Sequence, residues 1–359
     1  MRARVVIALV AVAALGSAVA GQKGKHLNPM IDLLAAHKPV FGLGLPAARG
    51  GGAGGNRGRA AAAGGAATTG AATTTPPATP ATPAPPPAPP KTPLDLAKDA
   101  FAHPEGDYFF TGSMERGVEG GIQTLTQFQD ALAEAGPIEA KPYPHLRVPI
   151  NVKTPNISRP DAPADPAKYV ANISQQLNAG VSTISFVEVD TAEELRQGIA
   201  AMRFKSKGGT RPEDVGSAPK YWGLSDKDYR KKADVWPLNS DGELVVWAIV
   251  ETKEGLANVR EIAQVKGLGV LVPGAGTLGG VFATKNPDGS RGPRDDVAWE
   301  AAIQQVLAAC KEFHIPCGYP VSEADVETRM KQGFSVSILQ AFNDASFRAV
   351  AKGRALGGR

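Results

Sequence analysis

At 359 residues, 43% of them hydrophobic, the chain has enough apolar material for one large domain or two small ones. Its 39 basic and 35 acidic side chains give a formal charge of +4, too balanced to argue for nucleic acid or an anionic membrane as partner. Two cysteines and five histidines are too few for a structural zinc site.

The chain begins with Arg2 and Arg4, an apolar run over 5–15 and the small residues Ala18 and Ala20. That is the layout of a cleavable secretory signal over 1–20, and the run is too short to span a bilayer. An exported protein, periplasmic or secreted, with no membrane span after cleavage is therefore expected, and loss of the two arginines would leave roughly +2. In an oxidising compartment Cys310 and Cys317, seven apart, either pair or stay as buried thiols; the spacing leaves both open.

Residues 21–46 start the fold, with a short amphipathic helix over 28–36 and a strand over 40–45. Over 47–92 the composition turns to Gly and Ala with Arg49, Arg57 and Arg59, then to Thr, Pro and Ala. Such a segment has almost nothing to bury and is expected to be a disordered insertion. Residues 93–359 then alternate regularly. Helical periodicity falls at 93–103, 122–135, 165–179, 191–204, 255–265, 296–313, 322–332 and 344–355, and strand-like runs begin at Asp107, Leu146, Thr183, Leu244, Leu268, Ile315 and Phe334.

With 40–45 these make eight strands, each followed by a helix, which is the arithmetic of an α/β TIM (β/α)8 barrel; a doubly wound open sheet is the alternative. In such barrels the residues at strand C-termini face the site. That rule selects Glu115 and Arg116 after the second strand, Arg147 in the third, Glu188 after the fourth and Glu251 after the fifth. His103, His145 and His314 fall elsewhere, so the mouth is expected to work without histidine. Gly274, Gly276 and Gly279 spell G-x-G-x-x-G after a strand, but no helix is expected to begin at the third glycine and no second strand ends in an acid about twenty residues on. A loop needing glycine for close backbone approach, with Gly274 and Gly276 near the substrate, is the expectation.

Several segments, NPMIDLL at 28–34, DYFF…MERG at 107–117, LRVP at 146–149, VDTAEEL at 189–195, GTRP at 209–212 and VETKEGLAN at 250–258, resemble the HpcH/HpaI aldolase and citrate lyase β-subunit family. The resemblance implies a pyruvate-handling barrel, a divalent metal (Mg²⁺ or Mn²⁺) and a homo-oligomer. It places Glu251 on a metal-binding glutamate and Arg147 on the arginine that holds a carboxylate or enolate. It also shows departures. Gly276 or Thr277 stands where the second metal ligand, an aspartate, belongs; Ile249 replaces a glutamine; Arg116 stands at the catalytic histidine and Asn178 at its paired aspartate. Glu188 and Glu115 are the replacement carboxylates, Glu188 as a second metal ligand beside Glu251, with Arg116 and Glu115 joining Arg147 in catalysis. The resulting expectation is an aldolase-like carbon–carbon lyase on a small 2-oxo acid or related carboxylate. Its alternative is an exported carboxylate-binding protein that has lost the chemistry.

Overall fold

The computed structural model describes residues 26–47, 89–135, 149–157 and 164–359. The proposed signal, most of the 47–92 insertion and Arg147 lie outside these residues.

Eight parallel strands build a curled sheet: β1 Val40–Gly44, β2 Tyr108–Thr111, β3 Ile150–Thr154, β4 Thr183–Phe186, β5 Leu244–Val250, β6 Leu268–Pro273, β7 Gly318–Pro320 and β8 Val336–Ile338. The hydrogen-bonded order is β7, β8, β1, β2, β3, β4, β5, with β6 on the other side of β5 and a two-residue strand, Val235–Trp236, also pairing with β5. The two ends of this path meet at a single parallel bridge, Leu271 to Cys317, where the Leu271 N–H donates to the Pro316 carbonyl at 3.0 Å. Helices lie between successive strands, among them Pro93–Ala102, Glu119–Glu134, Pro166–Asn178, Ala192–Met202, Asp296–Glu312, Val326–Gln332 and Asp344–Leu356. The architecture is a TIM-like α/β barrel.

The core divides as that architecture requires. A large cluster packs helices on the outer face of the sheet. A second cluster fills the inside, with Tyr108, Phe110, Val245, Trp247, Ile249, Val270, Val272, Val336 and Ile338 drawn from alternate strand positions. Met30, Ile31 and Leu34 of the helix Pro29–Ala35 belong to this inner cluster and plug the floor. The helix is launched by Asn28, whose side chain accepts from the Met30 N–H, with Pro29 in its first turn. Gly42 is needed where it stands, since a Cβ there would fall 2.0 Å from the buried Tyr108 ring.

Three sequence expectations are corrected here. The third strand runs on to Thr154 rather than ending at Ile150, the earlier part of the expected run, 146–148, lying outside the described residues, and the Pro149 carbonyl accepts from Phe109 N–H at 2.9 Å. The glycine run after β6 is a short helix, Ala275–Val281, rather than a loop. The helix expected over 255–265 is two short ones, Lys253–Ala257 and Val259–Ala263, with Asn258 between them. The stretch after Met202 also holds elements the sequence did not announce, the helices Ala218–Trp222 and Asp226–Lys232.

Candidate active site

A cavity of about 860 Å³ opens at the C-terminal ends of the strands. Its titratable lining is Glu115 and Arg116 after β2, Lys153 in β3 and Glu251 after β5; Ser185, Trp247, Gly274, Gly276, Thr277 and Gln340 add to the wall. The register aligns Lys153 with Ser185 and Ser185 with Trp247, so three neighbouring strands present these side chains at one level.

Glu251 is 2% exposed. One carboxylate oxygen accepts from the Glu188 N–H at 3.1 Å, and the Thr277 hydroxyl also hydrogen-bonds the side chain. Burial pushes its pKa up. The Lys153 ammonium, the Thr277 hydroxyl and the Glu188 N–H pull it back, while the Glu115 charge adds to the rise. Gly274 is required beside it, because a Cβ there would meet the Glu251 carboxylate at 2.5 Å. Lys153 donates to Glu115 at 3.0 Å, with both side chains only partly exposed.

The loops after β4 and β5 are stitched together. The Val189 N–H donates to the Ile249 carbonyl at 3.0 Å, Thr252 donates to the Asp190 carboxylate, and Asn258 donates to the Asp190 carbonyl at 2.8 Å. A Cβ at Gly255 would fall 2.5 Å from the Val189 carbonyl. Most of the VETKEGLAN motif therefore serves to hold Glu251 and its neighbouring loop in place. Glu188 adopts the left-handed region at φ 49°, costly for a non-glycine residue, and this orientation accompanies its N–H bond to Glu251.

Glu115, Arg116, Glu251, Gly274 and Gly276 thus share the cavity. The Glu188 side chain does not line it and instead accepts from Asn156 at 3.5 Å; its contribution is the backbone N–H. Asn178 sits at the end of the helix Pro166–Asn178, bonded to Arg211 and Asp214, apart from the cavity. Arg147 lies outside the described residues, and the cation that β3 delivers to the cavity is Lys153. Lys153, Ser185 and Trp247 were missed from sequence. The available signal was the alternation of Asn151 with Lys153 and of Thr183 with Ser185, polar side chains at period two inside strands.

Buried donors stand unsatisfied among the described residues near this wall, including Nε1 of Trp247, a residue of the cavity lining, Thr183 Oγ1, and Asn151 Nδ2, whose own Oδ1 accepts from Ser185 at 2.7 Å. Unpaired buried N–H groups are uncommon and each calls for an acceptor. The donor set fits a divalent ion poorly. Of the two lining carboxylates, Glu115 is held by an ammonium, Glu251 is hydrogen-bonded by the Thr277 hydroxyl, and no cluster of three or more His, Cys, Asp or Glu suited to a metal occurs among the described residues.

Residues 161–337 match the family described as HpcH/HpaI aldolase/citrate lyase. A hydroxypyruvate/pyruvate aldolase of Sagittula stellata is 27% identical over 146 residues, 41% of this chain and 52% of the relative, so the match spans about half the length of that curated protein. Two solved structures share the fold. A HpcH/HpaI aldolase/citrate lyase family protein from Burkholderia cenocepacia superimposes with a TM-score of 0.57 at 18% identity, covering 92% of this chain and 98% of that one. A HpcH/HpaI aldolase from Desulfitobacterium hafniense does so with 0.55 at 15%, covering 91% and 95%.

Proposed function

For a chain that belongs, by its residues 161–337, to the HpcH/HpaI aldolase/citrate lyase family, we propose a carbon–carbon lyase acting on a small 2-oxo acid or related carboxylate. The observation that carries this reading is the pairing, in one cavity at the strand ends, of the buried Glu251 carboxylate with the cations Arg116 and Lys153. A carboxylate whose pKa is raised by burial is a better proton acceptor near neutrality. The cations Arg116 and Lys153 are suited to hold an anionic substrate.

In the cleavage direction Glu251 takes the proton of a 4-hydroxy group. The O–H electron pair becomes a carbonyl, the C3–C4 bond breaks, and its electrons form an enolate with charge on the C2 oxygen. That charge develops beside Lys153. The proton taken up by Glu251 is then delivered to C3, which regenerates the carboxylate and gives a 2-oxo acid, with an aldehyde as the other product. The family's divalent ion would supply Lewis acidity at the C2 oxygen, but the donor set does not fit it and no step here passes through it. The disulfide between Cys310 and Cys317 supports the further reading that the protein is exported. Among the described residues no helix is long and apolar enough to cross a membrane.

The test is release of 2-oxo acid from a panel of 4-hydroxy-2-oxo acids, read through a lactate dehydrogenase coupling assay. Turnover by the wild type and a fall of about 10²-fold in Glu251→Gln are expected. Carboxylate binding without turnover on any substrate would overturn the lyase and leave a binding protein.

A further inference from the structure

We propose that Lys153 is the resident cation of this site, standing where a divalent ion would otherwise bridge substrate and protein, and receiving the substrate carboxylate or its enolate oxygen directly. The inference rests on reading the cavity as a carboxylate site.

Three observations carry it. The Lys153 ammonium lies 3.0 Å from Glu115 and is the leading charge that offsets the burial of Glu251, so one side chain serves both lining carboxylates. The lining holds two acids, Glu115 and Glu251, and two bases, Arg116 and Lys153, and is formally neutral without an added ion. A divalent cation beside Glu115 would also lie within a few ångströms of that ammonium, and like charges at such range oppose each other strongly. Finally, Trp247 lines the cavity at the level of Lys153, and its buried Nε1 has no partner among the described residues, so the wall beside the ammonium carries a further uncompensated donor.

Lys153 Nζ is already engaged by Glu115 at 3.0 Å, so the proposed role is that of a charged partner to substrate rather than a nucleophile forming a Schiff base.

The experiment is calorimetric titration of the full chain with pyruvate, in EDTA and again in Mn²⁺, with Mn²⁺ binding followed separately by electron paramagnetic resonance. In the wild type, pyruvate affinity is expected to be the same within about twofold with and without the ion, with no tight Mn²⁺ site. Lys153→Met should lower pyruvate affinity by about tenfold or more and create a Mn²⁺ site that Glu115→Gln then removes; Lys153→Arg should keep pyruvate binding. Tight Mn²⁺ binding by the wild type, pyruvate binding that depends on Mn²⁺, or a pyruvate adduct on Lys153 after borohydride reduction would each overturn the proposal. The wild-type titrations need no variant and stand even where Lys153→Met fails to fold. Because they measure binding, a chain that binds pyruvate in EDTA but cleaves nothing loses the lyase reading and keeps the resident cation.

Discussion

Glu251 sits almost wholly out of water, and its supporting contacts do not cancel the cost of burying its charge, because the net displacement of its pKa is upward. The sign of the consequence follows. A glutamate whose folded pKa lies above its usual 4.5 binds its proton more readily in the native state. Stability drawn from this group is complete below 4.5 and is lost as pH rises through the raised folded value. Glu251→Gln keeps the shape, can still accept from Glu188 and removes the charge. It is expected to melt higher than the wild type at pH 7–8, by roughly 2 °C, and to converge with it at and below about pH 4. Thermal melts across that range check this, and parallel curves for the two proteins would show that Glu251 carries no burial cost. The same substitution should cripple turnover, so stability and activity are opposed at one atom pair.

At the scale of elements, the β4 helix shows how local chemistry holds the site. Thr191 caps Ala192–Met202 by accepting from the Glu194 N–H at 3.2 Å, and the Glu194 carboxylate returns to the Asp190 and Thr191 N–H groups at 2.8 and 3.1 Å. Asp190 is also the residue to which Thr252 and Asn258 are tied. Thr191→Ala is expected to cost about 1 kcal/mol in urea unfolding, and Thr191→Ser to restore most of it; an unchanged midpoint for Thr191→Ala would mean that the Glu194 half of the box suffices. VDTAEEL reads in the sequence as a family segment and not as a cap, whereas the helix and strand alternation was legible there, as were the mouth positions of Glu115, Arg116 and Glu251. The third strand was not. The described strand reads INVKT, with only Ile150 from the apolar run that was its signal, and its inward Lys153 lines a polar cavity rather than a core. Polar side chains inside a barrel erase the apolar signal by which strands are found, and the residue hidden in this way is the one at the centre of the site. In the glycine run the expected close approach is met, by Glu251 against Gly274, but the residues that follow form the short helix Ala275–Val281 rather than a loop.

For the whole molecule, the weakest point of the ring is the junction of β6 with β7, where one bridge at Leu271 and Cys317 replaces a ladder. Cys317 is also the acceptor for the Ser335 and Val336 N–H groups, at 3.0 Å each, and so joins β6 to β8 through its own backbone. Its side chain is bonded to Cys310 near the end of Asp296–Glu312, whose sulfur lies 3.9 Å from the Leu271 carbonyl. The disulfide thus fastens the outer helix to the strand at the seam, where hydrogen bonding is sparsest. Closing so short a loop restricts the unfolded chain by about 2 kcal/mol in the loop-entropy account. Cys310→Ser with Cys317→Ser is therefore expected to lose about that much stability. It should also raise amide exchange first at Leu271, Ser335 and Val336, ahead of residues in the β4 and β5 ladder. Exchange rising evenly across all strands would show that the bond acts on the unfolded chain alone; faster exchange confined to the seam would show that it also holds the ring closed beneath Pro320, Ile338 and Gln340, the part of the cavity wall that β7, β8 and the turn after them supply.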